Sequence, residues 1–281
     1  MLPFSWGSLP ATMNLLIQNV TFSLISVFAY IFLFIVLSVP WTAFGCAWDD
    51  FLDVEIDSKV ERTKNRPLVT GVISMKNAFV FCLFLLGISW ILWALIDHNK
   101  TTLLVLAFTY IGGLSYAKMK TFTYYTDVFV GIYCSTSILI LNASIYGSIQ
   151  KPSIFLFLAV GIYCMNIATV YDSQDIKEDE RLGLFNMAVK WKDNLSRNIS
   201  LLTYISHILW MCYAYTDSHS LLLSSFFVPV ILMNQSQITK YFSQNNGKKG
   251  GYEFFCSTTR NVLIMISCQI VYQVAKSKLI E

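Results

Sequence analysis

Ala78-Phe-Val-Phe-Cys-Leu-Phe-Leu-Leu-Gly-Ile-Ser-Trp-Ile-Leu-Trp-Ala-Leu-Ile96 runs without a single charged residue. Coiled as a helix it reaches close to the ~30 Å of a bilayer's hydrocarbon core. It has no polar face to turn toward water, so it must be covered on all sides by protein or lipid. The same pattern recurs in both directions. Apolar blocks bounded by polar clusters predict helices near 21–46, 76–96, 101–117, 124–147, 152–171, 198–215, 220–238 and 255–275. Composition agrees, with 55% of the 281 residues hydrophobic and 13% charged, against about 25% charged in soluble domains. A water-soluble globular fold is excluded. The expected architecture is all-α, a polytopic transmembrane bundle of about eight to nine helices, with residues 1–281 forming one domain in the lipid bilayer.

The charges show which face is which. Twenty Lys and Arg against 17 Asp and Glu leave a net charge of only +3, which argues against a nucleic-acid partner. Let the eight predicted helices alternate across the membrane. Lys100, Lys151, Lys276 and Lys278 then fall on one face and all the other basic residues on the opposite one. The positive-inside rule places that basic face in the cytoplasm. The first twenty residues carry neither the basic start of a signal peptide nor an Arg-rich transit sequence. The expected location is therefore the endoplasmic-reticulum membrane, the first span serving as its own address. The seven cysteines are scattered without ligand spacing and are read as packing residues.

Two acidic segments also fall on the basic face. In Ala47-Trp-Asp-Asp-Phe-Leu-Asp-Val-Glu-Ile-Asp-Ser-Lys59, the residues Asp49, Asp53 and Asp57 recur every four positions. On a helix they stack along one side about 6 Å apart and repel. The second segment, Tyr171-Asp-Ser-Gln-Asp-Ile-Lys-Glu-Asp-Glu-Arg-Leu-Gly183, sets Asp175 and Asp179 four apart with Asp172 one turn earlier. A solvated helix cap would account for either ladder alone. Two ladders on one face, each followed by basic residues, point instead to divalent cations. Mg2+ takes oxygen ligands, keeps some of its waters and bridges carboxylates to substrate phosphates, so a diphosphate is the expected substrate class. Lys120, Arg66 and Lys64 are candidates for taking up its charge.

Together these segments resemble the UbiA superfamily of intramembrane prenyltransferases. The first family motif, Asn-Asp-x-x-Asp-x-x-x-Asp with a basic stretch and Arg-Pro-Leu, is matched by Asp49-Asp50-Phe-Leu-Asp53-Val-Glu-Ile-Asp57 and Val60-Glu-Arg-Thr-Lys-Asn-Arg-Pro-Leu68. The second is matched by Asp172, Asp175, Asp179 and Gly183, and a Tyr-x-x-x-Lys loop motif by Tyr116-Ala-Lys-Met-Lys120. The resemblance implies a bundle with a central cavity in which Mg2+ binds an isoprenyl diphosphate. By position, Asp49, Asp53, Asp57, Asp175 and Asp179 would be the catalytic, metal-holding set. Asp50 and Asp172 would support them, and Tyr116, Lys120, Arg66 and Lys64 would contact the diphosphate. The chain departs from the family pattern at several positions. Asp49 replaces Asn, Phe185 stands near a common Lys, and Thr126-Asp127 replaces a Pro-Gln pair of the aromatic-acceptor branch. The eight predicted spans are one fewer than the family's usual nine.

The expected function is Mg2+-dependent transfer of an isoprenyl group such as farnesyl to an aromatic acceptor, a phenolic acid or polyketide, in secondary-metabolite terpenoid biosynthesis. The Val60–Leu68 segment looks most like the 4-hydroxybenzoate and hybrid polyketide–terpenoid branches. The alternative is a membrane terpene cyclase needing no acceptor, since Asp49-Asp50-x-x-Asp53 also spells the motif of ionising terpene synthases. A transporter predicts charges at the midplane or broken helices, whereas here the charges gather at one face.

Overall fold

The computed structural model describes residues 39–96, 99–218, 227–245 and 260. Most of the predicted 21–46 helix and nearly all of the 255–275 helix lie outside them. Every regular element among the described residues is helical.

The first described helix, α1, covers 39–52. The apolar run predicts its end at 46, but the backbone coils on through the acids. Asp53 N–H bonds Asp49 O at 3.0 Å and Asp57 N–H bonds Asp53 O at 2.8 Å, so the one-turn α2 (Val54–Asp57) nearly continues α1. Then come α3 (Met75–Ile96), α4 (Lys100–Met119), α5 (Thr126–Tyr146) and α6 (Lys151–Asp172), within two residues of their predicted bounds. The punctuation is local. Asn99 caps α4 by accepting from Thr101 N–H at 2.8 Å, and Gly147 ends α5 at φ 75°, where a side chain would be strained. Beyond the short α7 (Ile176–Leu182) and α8 (Met187–Trp191) run α9 (Leu195–Ser218) and α10 (Phe227–Asn245).

Helix α10 outlasts its predicted end at 238 because Ile238, Tyr241 and Phe242 pack against Val170, Leu195 and Ile199, and its earlier polar residues are used inside the bundle. Asn234 Nδ2 lies 2.9 Å from His207 Nε2, and Gln235 Nε2 donates to Ser200 O at 3.0 Å. These partners assign His207 Nδ1–H as the donor to Thr203 O, 2.6 Å away. Asn166 Nδ2 to Thr203 Oγ1 (3.1 Å) and Ser206 Oγ to Ala159 O (2.7 Å) tie α6 to α9 in the same manner. Such ties hold helices together where lipid removes the hydrophobic contrast between them.

Among the described residues, three helices are long and apolar enough to cross a membrane, over Met75–Leu95, Thr126–Ser144 and Lys151–Asp172. Helix α6 is the hub, packed on α5 and α9 around Leu156, Val160, Ile167, Trp210 and Tyr213. Helix α3 is peripheral and turns Phe79, Val80, Phe81, Leu83 and Phe84 outward, the composition of a lipid-facing side. Where α5 crosses α6, Gly131 lies against the carbonyl of Gly161 with no room for a Cβ. Gly131→Ala is therefore expected to destabilise the protein by about 1–3 kcal/mol by forcing the helices apart. Chemical unfolding in detergent should record the loss; an unchanged midpoint would refute the close crossing.

Candidate functional site

The i, i+4, i+8 spacing and the nearly continuous coil of α1 and α2 place Asp49, Asp53 and Asp57 on one side, where they are only 4%, 5% and 6% exposed. Three stacked, buried carboxylates need compensation, and two cations from distant segments supply it. Lys120, just beyond the end of α4, sets its Nζ against Asp53 Oδ2. Arg66 Nη1 bridges Asp57 Oδ2 at 2.6 Å and Asp50 Oδ1 at 2.7 Å. Arg66 is delivered by the loop from 58 to 74, which is pinned where buried Thr63 donates to Asp57 O at 3.0 Å. That loop turns back toward α3 at Gly71, whose φ of 77° suits glycine.

Burial pushes the Asp53 carboxyl up from its usual range while Lys120 draws it down. Burial works against the charge on Lys120, but Asp49 and Asp53 outweigh it and hold the ammonium above its ordinary value. Arg66 is held up in the same way by Asp50 and Asp57. Both cations are thus fully charged.

The second acidic segment is not one ladder. Asp172 is the last residue of α6. The chain then turns, Asp175 N–H bonding back three residues to Asp172 O at 3.0 Å. Asp175 opens α7 and Asp179 follows one turn on, its N–H bonding Asp175 O at 2.9 Å. Gly183, at φ 69°, closes α7, and Leu184 N–H returns to Asp179 O at 2.8 Å. Burial raises the Asp179 carboxyl to about 6, although the Asn186 hydrogen bond opposes the shift.

The two segments converge. Arg62 Nη2 reaches Asp175 Oδ2 at 3.0 Å, and Arg181 Nη2 donates to Lys59 O at 3.2 Å. Lys120 interacts electrostatically with Asp172 and Asp179 as well as with Asp49 and Asp53. Tyr116, one turn before Lys120, lies within electrostatic reach of Asp49, Asp172 and Asp53, its ring edge-on to Tyr133. Lys64 is not brought here. Its Nζ pairs with Glu61 Oε1 at 2.6 Å, both side chains open to solvent, because the turn that aims Arg66 inward leaves position 64 outside. Phe185, near the family's usual Lys, packs edge-on against Tyr124 and bonds through its N–H to Lys120 O at 2.7 Å.

Three residues join the site that spacing did not single out. Arg62 bridges the segments, and no sequence signal marks a partner 113 positions away. Asn186 donates from Nδ2 to Asp179 Oδ2 at 2.7 Å while capping α8 through Val189 N–H at 2.8 Å; an Asn before a short helical run is the signal that would have found it. Asp127 is buried in the first turn of α5, and an acid inside a predicted span is itself a mark of function.

Among the described residues, no three acidic, histidine or cysteine side chains are gathered as a ready-made metal cage. Mg2+ does not require one. It takes one or two carboxylates and completes its shell with waters and substrate phosphates, a demand that pairs such as Asp49 with Asp53, or Asp175 with Asp179, fit. A face with five such acids and three charged bases is equipped to hold a polyphosphate through cations.

Comparison with known proteins follows the same line. The UbiA prenyltransferase family model matches residues 6–258. The prenyltransferase adrG of Penicillium roqueforti is 33% identical over 178 residues, covering 60% of this chain and 54% of that protein. A 4-hydroxybenzoate octaprenyltransferase of Pseudomonas fluorescens is 34% identical over 167 residues, covering 58% and 54%. This chain thus matches about half the length of those curated relatives. Among solved structures, a UbiA homolog from Archaeoglobus fulgidus bound to GPP and Mg2+ superposes with a TM-score of 0.68 at 17% identity, over 96% of each chain. That likeness establishes the fold.

Proposed function

The chain belongs to the UbiA prenyltransferase family, and on that premise we propose that it transfers an isoprenyl group from its diphosphate to an aromatic acceptor in a Mg2+-dependent reaction within the membrane. One observation carries the reading: Lys120, charged and largely buried, stands in the field of both acidic segments. A cation in that position faces what the acids alone would repel, a substrate diphosphate. The GPP and Mg2+ in the A. fulgidus homolog support an isoprenyl diphosphate and a divalent ion. The name of the P. fluorescens relative supports a phenolic acid as acceptor.

On this reading Asp49, Asp53 and Asp57 hold Mg2+ from one side and Asp175 with Asp179 from the other. Mg2+ held there would supply the positive charge that makes the diphosphate a better leaving group. Lys120 and Arg66 orient the phosphate oxygens and retain part of the charge that grows on them as the allylic C–O bond breaks. Tyr116 lies beside them as a further hydroxyl donor. The allylic cation left behind forms a C–C bond to the electron-rich ring, which then loses a proton. The same reading puts the acidic face in the cytoplasm, in the endoplasmic-reticulum membrane, and assigns the product to secondary-metabolite terpenoid synthesis.

Membranes containing the protein, Mg2+ and farnesyl diphosphate, incubated with and without phenolic acids, test it. A prenylated phenol is expected only when both acceptor and Mg2+ are present, with turnover falling to background in excess chelator. A hydrocarbon or terpene alcohol formed without acceptor would replace the transferase with a cyclase. Product formed in chelator would remove the metal.

A further inference from the structure

Asp127 is the second residue of α5, a position where an acid favours the positive helix end. Its side chain is nevertheless turned inward and is 1% exposed. Oδ2 accepts from Thr169 Oγ1 on α6 at 3.0 Å and from the backbone N–H of Met187, the first residue of α8, at 3.2 Å. The Asp172 carboxyl at the end of α6 lies beside it.

What the contacts hold is α7. Asp172 is the last residue before the turn that opens α7. At the other end, Met187 follows Asn186, whose Nδ2 holds Asp179. The neighbouring side chain acts in the same place: Thr126 Oγ1 donates to Phe185 O at 3.0 Å, and Phe185 N–H bonds Lys120 O at 2.7 Å. The acids that α7 carries are therefore braced at both ends from the first turn of α5. We propose that Asp127 is a positioning residue, whose carboxyl holds the last turn of α6 through Thr169 and the start of α8 through the Met187 N–H, so that Asp175 and Asp179 are presented toward Lys120. This rests on the prenyltransferase reading, and it gives a physical role to the Thr126-Asp127 departure from the family's Pro-Gln.

The test uses the full chain in detergent and measures binding of farnesyl diphosphate as Mg2+ is titrated. Asp127→Leu keeps the volume and loses every hydrogen bond. It is expected to raise the Mg2+ concentration for half-maximal binding by about tenfold or more, the usual effect of losing a partner that orients metal ligands. Asp127→Asn can accept from Thr169 and Met187 and donate to Asp172, so it should stay within about threefold of wild type. Wild-type Mg2+ dependence in Asp127→Leu, or equal impairment of Asp127→Asn, would each overturn the proposal. If Asp127→Leu does not fold, Thr169→Val decides: a shift of about threefold supports it and none refutes it. Failure of wild type to bind farnesyl diphosphate with Mg2+ would defeat the prenyltransferase reading instead.

Discussion

Asp53→Ala is expected to lower turnover about a thousandfold, equivalent to about 4 kcal/mol of lost transition-state stabilisation. Asp53 is the middle of the three stacked acids and the direct partner of Lys120. Its loss removes a metal-holding carboxylate and at the same time leaves Lys120 free to swing toward Asp49, which shares its field. Both changes fall on the group that receives the leaving diphosphate. Membrane insertion should be untouched, because the apolar spans do not depend on this residue. Turnover measured at saturating Mg2+, beside protein recovered from membranes, separates the two outcomes. Near-normal turnover in properly inserted protein would mean that the first acidic segment is a structural cap and that the metal assignment is wrong.

Arg66→Ala is expected to act on stability and binding together. The guanidinium bridges Asp57, almost wholly buried, and Asp50, which is partly open. Removing it strands the Asp57 carboxylate without its counter-ion. A fully buried partner would cost about 3–5 kcal/mol; since about a third of the Arg66 side chain faces solvent, the expected loss is about 2–3 kcal/mol. Diphosphate affinity should fall as well, because the loop that Arg66 ties down also carries Arg62 to Asp175. Arg66→Lys should recover only part of either effect, as one ammonium cannot reproduce the planar fork between two carboxylates. The unfolding midpoint and the diphosphate dissociation constant measure the two arms. An unchanged midpoint would show that Asp57 finds another partner in solution.

Particular residues show how far the sequence carried. The uncharged run from Ala78 to Ile96 predicted its helix to within a few residues, because an uncharged run of that length leaves the backbone no other way to satisfy its hydrogen bonds in lipid. The spacing of Asp49, Asp53 and Asp57 predicted a common face, since a four-residue interval is a property of the helix alone. The same reasoning failed where a helix changes solvent. It stopped α1 at 46 and α10 at 238, because polarity was taken as the end of a span, yet Asp49 of α1 is buried and Tyr241 of α10 packs inside the bundle against α6 and α9. It also drew Asp172, Asp175 and Asp179 as one ladder, with no means of seeing the turn between α6 and α7.

The sequence by itself determined the class of fold, the face that carries the charge and the residue types available for diphosphate chemistry, since these depend on composition, hydrophobic length and helical period. Only the tertiary structure decided which base meets which acid. Lys64 and Arg66 are two residues apart and look alike in sequence, but one pairs with Glu61 in solvent and the other with Asp57 in the interior. That choice, like the joining of Arg62 to Asp175 and of Asp127 to Met187, is made by contacts between segments distant in the chain, and the direction in which a loop aims its side chains is fixed by the packing around it rather than by local spacing.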